Sequence, residues 1–246
     1  MILLLVAPFI GSFLGVLVRR LPAGMSVVRG RSHCEACDAA LGARDLVPIL
    51  SFLWLKGRCR HCGARIDPFH FQIEMAAFLI ALWAVAVDGA DAGPDCVLGW
   101  GLLALAWIDA EHMILPDVLT LPLLAFGLLL AVVEAPDLVG ERLFGAVAGW
   151  LSFTAVSIGY RWYRQRDGLG GGDARLLAAG GAWLGWEALP SVVLLAAISA
   201  LAGIGLLTVL RRGRRQGGDV LTEPQPFGPW LALAIWVVRL YGPLLS

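Results

Sequence analysis

The sequence predicts an all-α polytopic membrane protein of about eight transmembrane helices. A small zinc-knuckle-like cytoplasmic domain is expected between the first helix and the second. Three observations carry that reading. Of the 246 residues, 59% are hydrophobic and the mean hydropathy is +0.77, whereas soluble domains are about 45–50% apolar. The few charged residues sit between apolar runs of near bilayer-spanning length. Four cysteines fall as two spaced pairs inside the first long polar loop.

The apolar stretches run over residues 2–18, 70–87, 96–110, 117–133, 142–160, 174–189, 191–210 and 226–244. The first has no basic residues before it and is followed by Arg19 and Arg20, so it reads as a retained helix rather than a cleaved signal. The sixth is rich in glycine, and its separation from the seventh rests on Pro190 and a very short turn. The expected division is a first helix over 1–18, a four-cysteine domain over 19–69 and a membrane-embedded domain over 70–246.

Charge sets the orientation. The loops after the first, fifth and seventh stretches hold 17 of the 19 basic residues, all on the side that eight spans would make common. The opposite loops, 88–95 and 134–141, hold no Lys or Arg. By the positive-inside rule the basic side is cytoplasmic, with both termini outside. The formal net charge is zero and gives no reason to expect a nucleic-acid partner.

The cysteine pairs are Cys34-Glu-Ala-Cys37 and Cys59-Arg-His-Cys62, with 21 residues between them. Four thiolates satisfy tetrahedral zinc, and a closed four-sulfur site is structural rather than catalytic. A reducing cytoplasm argues against disulfides. Such a site would staple a loop-rich domain too short to build its own core. His33 and His61 adjoin the cysteines as possible substitutes, and Cys96 reads as a small packing residue.

Two aspartates stand at helix ends on the cytoplasmic side. Asp109 closes the third stretch, and Asp173 follows Gly168-Leu169-Gly170-Gly171-Gly172 at the mouth of the sixth. An ionisable residue at a membrane boundary is a functional-site hypothesis by default. Two acids in contact cannot both ionise easily and share a proton. One can then take a proton from water while the other gives one to a carbonyl oxygen or a leaving amine. The glycines Gly168, Gly170 and Gly172 let a ligand backbone approach closely. The bland alternative makes Asp173 a helix cap and Asp109 a snorkelling acid. Asp117 has a good cap position after Pro116. Together with Glu111 and Asp167 it is also a candidate for attracting a basic ligand.

Taken in order, these motifs resemble the type IV prepilin leader peptidase and N-methyltransferase family, among the GxGD intramembrane aspartic proteases. The likeness runs from Gly11-Ser-Phe-Leu-Gly-Val-Leu-Val-Arg-Arg-Leu-Pro22 through both cysteine pairs, Val47-Pro48-Ile49-Leu50-Ser51 and Glu74. It continues through Asp109 to Asp117 and Gly168 to Ala182, and closes with Pro226-Phe227-Gly228-Pro229. The sequence departs from the pattern at Gly15, His70-Phe71 and Arg175.

The resemblance implies that Asp109 and Asp173 form the catalytic pair. It implies cleavage of the short basic leader from prepilins and type II secretion pseudopilins, at the cytoplasmic face of a bacterial inner membrane. It further implies N-methylation of the new terminus with S-adenosylmethionine as donor, an activity the family ties to the cysteine domain and to zinc. A peptidase without the second activity is the nearest alternative. A proton-coupled carrier is the alternative from another class, although no internal repeat supports it.

Overall fold

The computed structural model describes residues 2–27, 32–164, 170–213 and 225–244. The described residues are helical, with no strand beyond two isolated bridges. The helices are α1 (Ile2–Arg20), α2 (Leu50–Trp54), α3 (Pro68–Asp88), α4 (Gly93–His112), α5 (Asp117–Glu134), α6 (Val139–Arg164), α7 (Gly171–Leu184), α8 (Leu189–Gly213) and α9 (Gly228–Tyr241). All but α2 coincide with the eight apolar stretches. Among the described residues five spans, built on α1, α3, α5, α6 and α8, are long and apolar enough to cross a membrane. The protein is therefore a helical membrane protein. Gly168 and Asp167 lie outside the described residues.

The chain divides into two compact units, with the boundary inside α4 between Ala104 and Leu105. In the first unit α1 packs along α3. Gly11 makes this possible, because a Cβ there would lie 2.6 Å from Glu74 Cα. Arg19 near the end of α1 pairs with Asp67 at 2.8 Å and stacks over Phe69, so the two helices end at one level. Asp67 also caps α3, accepting from the Phe69 N–H at 2.9 Å.

In the second unit α7 is the central element, packed by α5, α6, α8 and α9. It has only 14 residues, about 21 Å of rise against a hydrocarbon core of about 30 Å. Its shortness follows from burial: every residue from Leu176 to Trp183 is buried, leaving no lipid-facing side to lengthen. Small residues permit that packing. Gly145 of α6 and Gly181 of α7 cross with no room for a side chain on either helix. Trp183 fixes the far end by donating its indole N–H to the Leu123 carbonyl of α5 at 2.9 Å.

The break after α7 falls at Gly185, whose φ of 86° stops the helix, and not at Pro190, which sits inside the first turn of α8. The expected sixth stretch is thus shifted towards its glycines and shortened.

Candidate active site

Asp109 and Asp173 lie in the second unit, and both line one cavity of about 860 Å³. Asp109 is in the last turn of α4 and Asp173 in the first turn of α7. Both are buried, at 6% and 8% exposure. Carboxylates with so little exposed surface are costly unless they are hydrogen-bonded, paired or neutralised.

Asp109 is held by α9. The Gly228 N–H, the first in that helix, donates to Asp109 Oδ2 at 2.9 Å. A free N–H at a helix N-terminus, with the positive end of the helix dipole behind it, suits a carboxylate. The contact needs glycine, because a Cβ at position 228 would stand 2.6 Å from Oδ2. Phe153 and Phe227 support the turn, with ring centroids 6.2 Å apart. The Pro226–Pro229 turn entered the sequence reading only as part of a resemblance, with no role. Its signal was a glycine held between two proline-bounded positions, Phe227-Gly228-Pro229.

Asp173 is held by its own turn, its N–H donating to the Gly170 carbonyl at 3.1 Å. Gly170 and Gly172 both line the cavity. Gly172 packs on Leu115, where a Cβ would meet the leucine Cβ at 2.8 Å. The stretch Met113–Pro116 therefore lies directly against the start of α7. Met113 takes a φ of 55° to turn the chain out of α4 and lines the same cavity as Leu115.

Asp117 opens α5, but Pro116 holds the cap position and no side chain caps the helix. Its carboxylate pairs instead with the Arg175 guanidinium of α7. The acid expected to attract a basic ligand thus already has a cation beside it. Glu111 accepts from the Trp107 indole at 2.9 Å, and His112 lies 3.8 Å from it. Neither reaches the cavity lining.

In the first unit the two cysteine pairs form matching turns. The Cys34 N–H donates to the Ala39 carbonyl and Cys59 to that of Ala64, at 3.0 and 2.8 Å. The residue after each pair, Asp38 or Gly63, is left-handed with φ of 55° and 71°. All four sulfurs lie within 4.8 Å of one another. Cys34 and Cys62 Sγ are 3.9 Å apart, against about 3.8 Å for the edge of a tetrahedral zinc–thiolate site.

The Ala36 and Cys37 N–H groups hold the Cys34 thiol down at about 7. Cys37, despite the Ala39 N–H that lowers it, is pushed up to about 12 by the Cys62 thiol and by burial. The donor set fits a tetrahedral metal ion, which would hold all four sulfurs as thiolates. His33 and His61 are not among the grouped donor atoms. Cys96 is buried, as expected of a packing residue.

Two family models match the chain. Residues 5–87 match the bacterial peptidase A24 N-terminal domain, and residues 96–206 match the type IV leader peptidase family. Relatives named prepilin leader peptidase/N-methyltransferase cover nearly the whole chain. The Aeromonas salmonicida protein is 37% identical, over 96% of this chain and 89% of its own. The Pseudomonas aeruginosa protein is 34% identical, over 99% and 90%. The Burkholderia pseudomallei protein is 42% identical, over 90% and 71%. No solved structure matches the chain.

Proposed function

The chain belongs to the type IV leader peptidase family, and from that premise we propose that Asp109 and Asp173 cleave the basic leader from prepilins and type II secretion pseudopilins. The observation that carries the reading is the placement of two buried carboxylates from different helices on one cavity. A carrier would need its acids along a path across the bilayer, whereas these sit at helix ends.

In this reading one carboxylate takes a proton from the attacking water and the other supplies one to the scissile carbonyl oxygen. The Gly228 N–H engages Asp109 Oδ2 and so leaves Oδ1 for water or substrate. The scissile bond must leave its helix to be attacked. Non-helical backbone at membrane depth is tolerated where it lines a watery cavity. Gly170 and Gly172 line that cavity and offer an extended peptide a wall without side chains. Asp117 acts as a positioning residue by holding Arg175 at the rim. The excess of basic residues in the loops on the side of Asp109 and Asp173 supports a site at the cytoplasmic face, and the membrane of this reading is the bacterial inner membrane.

Cys34, Cys37, Cys59 and Cys62 hold a structural zinc ion, which supplies a tetrahedral staple for a loop-rich domain. Methylation of the new amino terminus follows cleavage, in keeping with the two-part name of the relatives. The donor is S-adenosylmethionine. The smaller cavity of the first unit, about 320 Å³, is walled by apolar side chains, Ser51 and two arginines, with no carboxylate. That set does not fit an adenosine ribose, which calls for an acidic partner. The test is cleavage of a synthetic prepilin by the reconstituted enzyme and by Asp109→Asn and Asp173→Asn, with product mass reporting an added methyl group.

A further inference from the structure

The short helix α2 sits in the polar loop, yet its surface is not that of a soluble loop. Leu50 is 65% exposed, Leu53 57% and Trp54 85%, and Leu46 and Val47 extend the same apolar surface. A contiguous apolar patch of this kind marks an interaction site.

Two contacts set its depth. The Ile49 N–H donates to Glu74 Oε2 of α3 at 2.7 Å. Phe52 stacks on Phe71 of α3, with ring centroids 5.1 Å apart. The polar level of the first unit is marked by the Arg19–Asp67 pair, where α1 ends and α3 begins. Glu74 lies seven residues past Asp67, about 10 Å further along the helix axis. The chain therefore leaves α1, builds the first cysteine turn, dips back beside the spanning helix to reach that depth, and then returns to build the second cysteine turn.

The backbone of the dip is prepared for a poorly hydrated setting. Ser51, Leu53 and Leu55 return their N–H groups to the carbonyls of Val47, Ile49 and Ser51. Glu74, itself 8% exposed, takes the N–H that would start the helix unpaired. Ile49 accepts a φ of 61°, costly for a β-branched residue, to make that bond. Exposed Arg44 lines one surface with Val47, Leu50 and Trp54, and exposed Lys56 and Arg58 follow α2 directly in the chain.

We propose that residues 46–54 form an interfacial element that beds Leu50, Leu53 and Trp54 in the headgroup–acyl boundary of the bilayer crossed by α1 and α3, with Arg44 and Lys56 on lipid phosphates. Apolar side chains and tryptophan at that depth, rimmed by cations, are what a phospholipid leaflet recognises. The inference needs only that the flanking helices span a membrane. It does not depend on the chemistry proposed for the aspartates.

The test places a diazirine photocrosslinking side chain at Trp54, at Leu50 and, as a control, at the exposed Glu35. The full chain is held in nanodiscs of phosphatidylethanolamine with phosphatidylglycerol, and helicity by circular dichroism verifies folding. The expected result is a phospholipid adduct at positions 50 and 54, about tenfold or more above that at 35, and unchanged when prepilin is added. Equal yields at all three positions would overturn the proposal. So would adducts to a second copy of the chain, or lipid adducts that give way to peptide adducts when prepilin is present.

Discussion

Asp109 Oδ2 accepts the Gly228 N–H at 2.9 Å, across 119 residues of chain. The bond ties the end of α4 to the start of α9 and sets the orientation of one of the two cavity carboxylates. Gly228→Ala puts a methyl group into that space. A hydrogen bond to a charged group contributes about 1.5–3 kcal/mol. Prepilin cleavage by Gly228→Ala should therefore fall about 10- to 100-fold. The fall should appear in kcat more than in KM, with α-helical content unchanged.

The Arg175–Asp117 pair joins α7 to α5 beside the same cavity. Both side chains are about half exposed, at 41% and 51%, so the pair contributes little to stability, about 0–1 kcal/mol. Its expected effect is positional. Asp117→Asn should raise KM for a prepilin, and so should Arg175→Gln. The double variant should be no worse than the poorer single one. Additive losses in steady-state kinetics would show that the two residues act separately.

The acids and the cysteines were legible because their chemistry shows in one dimension. A carboxylate at the end of an apolar run and a repeated Cys-x-x-Cys pair need no fold to be noticed. The depth of α2 was not legible, because Glu74 reads as one acid inside a span until Ile49 is seen donating to it. Gly228 was illegible for a similar reason: its role is a missing Cβ opposite a residue far away in sequence. The extent of α7 was misjudged because apolar length counts residues and ignores what surrounds them. A helix buried on all sides can stop at Gly185 without reaching across a bilayer.

Zinc should be retained by the purified protein at about one ion per chain. Cys34→Ser and Cys62→Ser should each abolish it by elemental analysis. Loss of the staple should also speed proteolysis between Ser32 and Asp67. Metal-free protein with the same proteolytic resistance as the native form would contradict the structural assignment.

The crossing of α6 and α7 at Gly145 and Gly181 leaves no space for a side chain. Gly181→Val must separate the helices or strain them, at about 1–3 kcal/mol. A lower melting temperature in detergent is expected, with loss of cleavage following loss of fold. Gly159 has nothing near its absent Cβ, so Gly159→Ala serves as the control and should be neutral.

The central claim is that Asp109 and Asp173 act as one catalytic pair. The most direct measurement is the single-turnover rate of prepilin cleavage in liposomes, for wild type, Asp109→Asn, Asp173→Asn and the double variant. The account predicts that each single variant is as inactive as the double one, with fold and zinc content intact. A single variant that keeps near wild-type cleavage would contradict it, and the second acid would then have to be sought elsewhere in the chain.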